Sequence, residues 1–157
     1  MSKPTPFLWF DNDAEDAMNF YVSIFPNSKV LSTTRYPAGG PAPAGTVMTA
    51  QFQLDGQDFI ALNGGPSHEF SDAISFVVNC ETQAEVDRFW EKLTAGGKPG
   101  PCGWLKDKYG LSWQIVPAIL PKLLSDQDQA KSGRAMAAMM KMSKLDGDAL
   151  KRAYDGR

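Results

Sequence analysis

The sequence predicts an α+β fold of two tandem βαβββ modules followed by a C-terminal helical tail. Three observations carry this. A helix signature occurs twice at an offset of 69, a short apolar run precedes each copy, and hairpin signals follow each copy. One matching helix arises easily by chance, but agreement of cap, stripe, preceding strand and following hairpin does not.

The first element is the run Phe7-Leu8-Trp9-Phe10, which reads as a buried strand. Asp13 then stands as the N-cap of a helix, with Glu15 and Asp16 in the first turn, where they complement the positive helix end. Ala17, Phe20, Tyr21 and Ile24 follow at the i, i+3, i+4, i+7 spacing of a helix buried on one face, and Pro26 stops it. Strands are expected over 28–36, 46–54 and 58–63, with Asp55-Gly56 as a hairpin turn. The stretch 37–43 (PAGGPAP) is too rich in Pro and Gly to be regular.

The second module repeats this order. Phe76 to Asn79 reads as a strand, and Thr82 with Glu85 matches a capping box. The stripe Val86, Phe89, Trp90 and Leu93 is the first stripe with 69 added to each number, and Gly96-Gly97 ends the helix. Strands are expected over 98–101, 103–108 and 111–116, with a turn at Tyr109-Gly110. Beyond Pro117 the pattern changes to a helix over about 128–142 and a shorter one capped by Asp146 and stopped near Gly156. The expected division is 1–66, 67–117 and 118–157, the three parts making one structural unit.

Composition excludes several function classes. A net charge of −2 gives no reason to expect nucleic-acid or membrane-surface binding. One histidine cannot build a multi-histidine metal site within a single chain, and two cysteines 22 apart form neither a zinc knuckle nor a disulfide scaffold. The first residues lack the apolar core of a secretory signal and no run of about 18 apolar residues occurs, so a cytoplasmic protein is expected. The tail carries 8 basic and 5 acidic residues on an otherwise acidic chain, as expected for helices packing on their own acidic body.

Several segments together resemble the vicinal oxygen chelate superfamily, and within it the PhnB-like branch often labelled 3-demethylubiquinone-9 3-methyltransferase. They are Pro6-Phe7-Leu8-Trp9-Phe10 with 17–26 (AMNFYVSIFP), 73–93 (AISFVVNCETQAEVDRFWEKL), 102–117 (CGWLKDKYGLSWQIVP) and the tail segment 134–145 (RAMAAMMKMSKL). The resemblance implies two modules whose curved mixed sheets enclose a ligand cleft, with helices outside. It also implies a homodimer, since members commonly pair and sometimes exchange modules.

Metal-dependent members hold a divalent ion through four sheet positions bearing His, Glu or Gln. Transferred to this chain, those positions fall at about Pro6, on the strand ending in Asn63, at about Ala73, and on Gln114. One amide stands where four ligands are wanted, so no metal and no other cofactor is expected. The methyltransferase label is tested by glycines. A nucleotide-type donor site needs a glycine-rich turn opening a helix, and neither Gly39-Gly40 nor Gly64-Gly65 is followed by a helix pattern.

What remains is a small organic ligand held by strand-borne polar and aromatic groups. Alternation over 46–54 puts Met48, Ala50, Phe52 and Leu54 on an apolar face and Val47, Thr49, Gln51 and Gln53 on a semi-polar one. Gln114 and Trp113 must point to opposite sides; if Gln114 faces the ligand, Trp113 is core. The candidate ligand residues are therefore Trp9, Gln51, Asn63, Cys102, Trp104 and Gln114. His68, in the loop between modules, reads either as a base paired with Glu69 or Asp72 or as a solvated residue. Cys102 reads as a thiol at the mouth or as packing, Cys80 as a buried strand end, and Arg35 as an anion anchor or a solvated cation. Met136, Met139, Met140 and Met142 suit packing or a dimer seam better than a lid.

Overall fold

In the computed structural model, which describes residues 2–157, the chain divides into two compact units, 1–70 and 71–157. Each unit holds one four-stranded mixed sheet.

The first unit runs β1 (Phe7–Phe10), α1 (Ala14–Ile24), β2 (Lys29–Arg35), β3 (Val47–Leu54), β4 (Gln57–Asn63). Its strand order is β1-β4-β3-β2, with β1 parallel to β4 and the other pairs antiparallel. Leu8 and Phe10 of β1, Ala50, Phe52 and Leu54 of β3, and Phe59 and Ala61 of β4 are buried with α1. That is the alternation expected of a sheet with one covered face. The helix buries Ala14, Ala17, Met18, Tyr21 and Ile24. Full burial of a side chain such as Ile24 or Tyr21 is worth about 1.5–3 kcal/mol. Phe20, expected in the stripe, is only half-buried, and Met18 takes its place because the covered face is rotated toward residue 14.

Asp13 sits at the N-cap of α1, but its side chain makes no capping hydrogen bond. Asn63 does that work from 49 residues away: the backbone N–H of Ala14 donates to its Oδ1 at 2.8 Å, and its Nδ2 donates to the Val47 carbonyl at 3.1 Å. The Tyr36 hydroxyl also donates to the Asn63 carbonyl. The first helix is therefore capped by tertiary structure. β2 lies at the sheet edge, exposed along its whole length and interrupted by two register shifts, which keep it from templating another strand.

The second unit runs β5 (Ser75–Cys80), α2 (Gln83–Thr94), β6 (Lys98–Pro99), β7 (Trp104–Lys106), β8 (Ser112–Pro117), then α3 (Ile119–Leu124), α4 (Gln129–Met139) and α5 (Gly147–Asp155). Its strand order, β5-β8-β7-β6, repeats that of the first sheet. Here the cap is local: Glu85 N–H donates to the Thr82 hydroxyl at 3.2 Å, and Glu85 Oε2 accepts from Glu81 N–H. α2 buries Val86, Phe89 and Leu93, while Trp90 is half-buried.

The offset of 69 relates the helices but not the strands before them. Phe10 closes β1 three residues before Asp13, whereas Cys80 closes β5 two residues before Thr82. With one residue fewer in the connector, β1 and β5 correspond at an offset of 70. A one-residue slip exchanges the faces of a strand. Phe7 is accordingly 55% exposed, while Phe76 packs against the buried Trp113, ring centroids 5.6 Å apart.

The tail contains one helix more than expected. α3 begins right after β8 and places Pro121 in its first turn, where a missing N–H costs nothing. α4 and α5 are capped by Asp128 and Asp146, and α5 ends on Gly156 at φ 81°. Leu120, Leu123, Ala135, Leu145 and Leu150 form the tail's own buried cluster, which Met139 and Met142 join, while Met136 and Met140 stay exposed. The tail is bound into the second unit by polar contacts as well. Gln83 donates to the Leu145 carbonyl and accepts from Gly147 N–H, both at 2.9 Å, and Lys144 pairs with Asp87 at 2.9 Å. Among the described residues no helix is long and apolar enough to cross a membrane.

Candidate functional site

Register defines the face of each sheet turned away from the helices. In the first sheet, Phe7 pairs with Ile60, Ile60 with Gln51, and Gln51 with Ser32, making one row across four strands. The next row is Trp9, Leu62, Thr49 and Thr34. In the second sheet the corresponding row is Val77, Gln114 and Trp104, and the next is Ser75, Ser112, Lys106 and Lys98. Trp113 is 2% exposed on the opposite side, as the alternation requires when Gln114 is on the open face.

Trp104 and Gln114 are thus direct cross-strand partners, and Trp9 and Gln51 share the open face of the other sheet one row apart. Gln114 Nε2 donates to Ser75 Oγ at 2.9 Å, which fixes the amide and keeps its oxygen as an acceptor. Trp9 is anchored at its polar end: Nε1 donates to the Gly65 carbonyl at 2.9 Å, and His68 meets the ring edge-on at 4.7 Å. A Cβ at Gly64 would lie 2.4 Å from the Trp9 ring, so this loop needs glycine for close approach. His68 itself is exposed.

The other candidates lie elsewhere. Asn63 follows the core-facing alternation of β4, and both ends of its side chain are engaged in holding α1 and β3. Cys102 occupies a tight turn in which Trp104 N–H donates to the Pro101 carbonyl; Cys102 and Gly103 have φ of 58° and 85°. Positive φ at both central residues is the pattern of a type I′ turn. The turn is clamped by the tail, since Cys102 N–H donates to the Met142 carbonyl and Gly103 N–H to the Ser143 carbonyl. Cys80 is buried, and that burial pushes its thiol up to about 11, far from thiolate chemistry. Arg35 donates to the Gly45 carbonyl at 2.9 Å and so holds the Pro/Gly loop.

Each unit carries a concavity. The first, of about 680 Å³, lies by the α1 N-terminus among Asp11, Glu15, Asp16, Arg35 and the 41–46 loop. The second, of about 470 Å³, lies on the open face of the second sheet. Trp104, Lys98, Lys106, Ser112 and Asp72 line it, with Gly100 and Pro101 at its wall. The buried Ser112 hydroxyl donates to Asp72 Oδ1 at 2.7 Å and Lys106 Nζ stands 3.4 Å from the same oxygen. The Ser112 hydrogen bond, helped by Lys106, holds the Asp72 carboxyl below its usual range. Residue-by-residue sequence reading misses Lys98, Lys106 and Ser112, and names Asp72 only as a partner for His68. The signal that finds Lys98 and Lys106 is cross-strand register, which requires knowing how the strands pair.

Pro6 and Ala73, two of the positions that the resemblance implies for a metal, precede their strands, while Gln114 lies on β8. Among the described residues no group of three His, Cys, Asp or Glu could hold a metal ion.

Asp107, in contrast to the exposed Asp72, is buried and structural. It is 3% exposed; Oδ1 accepts from the N–H groups of Tyr109 and Leu111, and Oδ2 accepts from Trp113 Nε1 at 2.9 Å. It locks the β7–β8 turn behind Trp104.

Comparison with known proteins fits this arrangement. The family described as 3-demethylubiquinone-9 3-methyltransferase matches residues 2–116. A PhnB protein from Bacillus cereus that carries the same label is 41% identical, over 74% of this chain and 100% of that one, with a TM-score of 0.66. A Pseudomonas aeruginosa protein is 18% identical over 74% and 98% of the two chains, with a TM-score of 0.62. The fosfomycin resistance protein FosX from Listeria monocytogenes, solved with Mn(II) and sulfate, is 15% identical over 78% and 94%, with a TM-score of 0.55. The last two share the fold. Among curated proteins none matches the chain. By sequence and by fold, the chain belongs to the PhnB-like 3-demethylubiquinone-9 3-methyltransferase family.

Proposed function

We propose that this chain binds a small organic molecule on the open face of its second sheet, without a metal ion. The observation that carries this is the Val77-Gln114-Trp104 row beside the 470 Å³ recess. An aromatic ring offers a stacking surface and Gln114 an oriented amide, the usual makings of a small-molecule site. Trp9 and Gln51 offer the same pair of chemistries on the first sheet. The donor sets argue for binding in preference to metal-assisted chemistry. The Mn(II)-bound FosX, at 15% identity, supports the fold alone.

Methyl transfer finds little support in the glycines: no helix begins after Gly39-Gly40, Gly64-Gly65 or Gly96-Gly97. We also take the functional form to be a homodimer.

Native mass spectrometry of the purified protein tests this reading. The expected spectrum is a dimer carrying a small organic adduct and no metal. A rise in melting temperature on adding Mn(II), Zn(II) or Ni(II) would overturn the metal-free reading, since whatever binds the native state stabilises it.

A further inference from the structure

We infer that the recess on the second sheet takes a planar aromatic carboxylate, its ring on Trp104 and its anionic group between Lys98 and Lys106. The inference rests on the proposed ligand site and names its ligand class.

Lys98 and Lys106 are directly opposed across the antiparallel β6–β7 pair. Like charges at directly opposite positions on one face repel, so a sheet ordinarily avoids the pairing or compensates it. Here one carboxylate faces the two cations. Asp72 lies 3.4 Å from Lys106 and also accepts the Ser112 hydroxyl, while Lys98 has no ion-pair partner among the described residues. The recess therefore keeps one uncompensated positive charge beside an indole, and an anion placed between the ammonium groups relieves the repulsion. The remaining walls are Pro99, Gly100, Pro101 and Leu105, which offer no second carboxylate to repel it. Gly100 runs close under the wall: a Cβ there would lie 2.9 Å from the Trp104 carbonyl oxygen. The slot thus suits a flat, hydrocarbon-edged ligand with its charge at one end. The 680 Å³ concavity of the first unit, with Asp11, Glu15 and Asp16 against Arg35, has the opposite charge balance and gives no such signal.

The test is calorimetric titration of the full-length protein with 2-naphthoate and with its neutral analogue 2-naphthamide. The wild type is expected to bind naphthoate at least about tenfold more tightly than the amide, the ratio typical of a charge-assisted contact. Lys98→Met should weaken naphthoate by about tenfold and leave the amide within about twofold. Lys98 is an exposed residue with no ion pair, so this variant keeps its fold, which a thermal melt checks. Trp104→Leu should weaken both ligands. If acid and amide bind equally and Trp104→Leu weakens both, the ligand site stands and the carboxylate assignment falls. Unchanged naphthoate affinity in Lys98→Met likewise overturns the assignment. If neither compound binds, the assignment falls together with the site.

Discussion

In the first sheet the open-face row reads Phe7-Ile60-Gln51; in the second it reads Val77-Gln114-Trp104. The strand order and the parallel or antiparallel sense of each pair are the same, yet aromatic and amide occupy different strands. In the first unit the aromatics sit on the edge strand β1 and the amide on β3. In the second, the aromatic sits on the inner strand β7 with the amide beside it on β8. The helix-side faces differ less, because each must cover a helix. The burial requirement constrains one face of a duplicated module, and the other is left to diverge toward ligand chemistry. The modules also differ in support. α1 is capped from β4 by Asn63, whereas α2 caps itself and is braced from outside by the tail through Gln83 and Asp87.

The largest expected effect separates the two hairpin turns. Asp107→Ala removes the acceptor of two buried donors, Leu111 N–H and Trp113 Nε1, and of the part-buried Tyr109 N–H, and should cost about 4 kcal/mol of stability in urea unfolding. Asp55→Ala, in the exposed β3–β4 turn at φ 47°, should cost less than about 1 kcal/mol. Equal losses would mean that the turns carry equal structural weight.

The glycines of the two modules should differ in the same direction. Gly103 and Gly56 both have positive φ, 85° and 82°. A Cβ at Gly103 would lie 2.8 Å from Leu145 Cδ1 and 3.0 Å from the Ile115 carbonyl oxygen, whereas at Gly56 nothing lies within 4 Å. Gly103→Ala should therefore cost about 3 kcal/mol by thermal or urea unfolding and Gly56→Ala about 1 kcal/mol, the excess being the overpacking term. A loss at Gly103 no larger than that at Gly56 would show that the tail yields there.

Helix caps give a smaller contrast. Asn63→Ala should destabilise by about 1.5 kcal/mol and Thr82→Ala by about 1 kcal/mol, whereas Asp13→Ala should stay within about 0.5 kcal/mol because its side chain caps nothing. A larger loss at Asp13 than at Asn63 in urea unfolding would return the cap to local sequence.

How much of this was legible follows from range. The strands over 7–10, 47–54 and 57–63, the helices α1 and α2, and the opposition of Trp113 to Gln114 all follow from period-two and period-3.6 patterns within a few residues. Gln114 enters as a candidate through the resemblance, and Trp104 through the strand alternation that sends Trp113 to the core. The Asn63 cap depends on a partner 49 residues away, and a local rule assigned the cap to Asp13. α3 was hidden because Pro121 reads as a breaker until its place in a first turn is known. The opposed lysines of the recess needed strand pairing, which one sequence does not provide. Asp107 could have been read: an Asp two residues before Tyr109-Gly110 is a turn signature, and Trp113 supplies a ring N–H in need of an acceptor.

The smallest expected effect concerns acid. Asp72, Asp87, Asp126 and Asp155 are all held below the usual carboxylate value of 3.8, and all lie in the second unit. The leading causes are the Ser112 hydrogen bond for Asp72, Lys144 for Asp87, the Tyr154 hydroxyl for Asp126 and Lys151 for Asp155. A carboxyl whose folded value is depressed contributes stability that is complete above its unfolded value and lost as pH falls through the folded one. Asp72 and Asp87 are exposed and Asp126 and Asp155 half-buried near the surface, so each loss is small and screened by salt. They nevertheless join at the tail. Asp87 ties Lys144 to α2, and Asp126 holds Tyr154 of α5. Below about pH 4, hydrogen exchange should therefore quicken in peptides covering 143–155 before it quickens in those covering α1, whose Asn63 cap does not titrate. Simultaneous loss of protection in both would mean that the tail is held by its buried Leu145 and Leu150 cluster, with the carboxylates adding nothing.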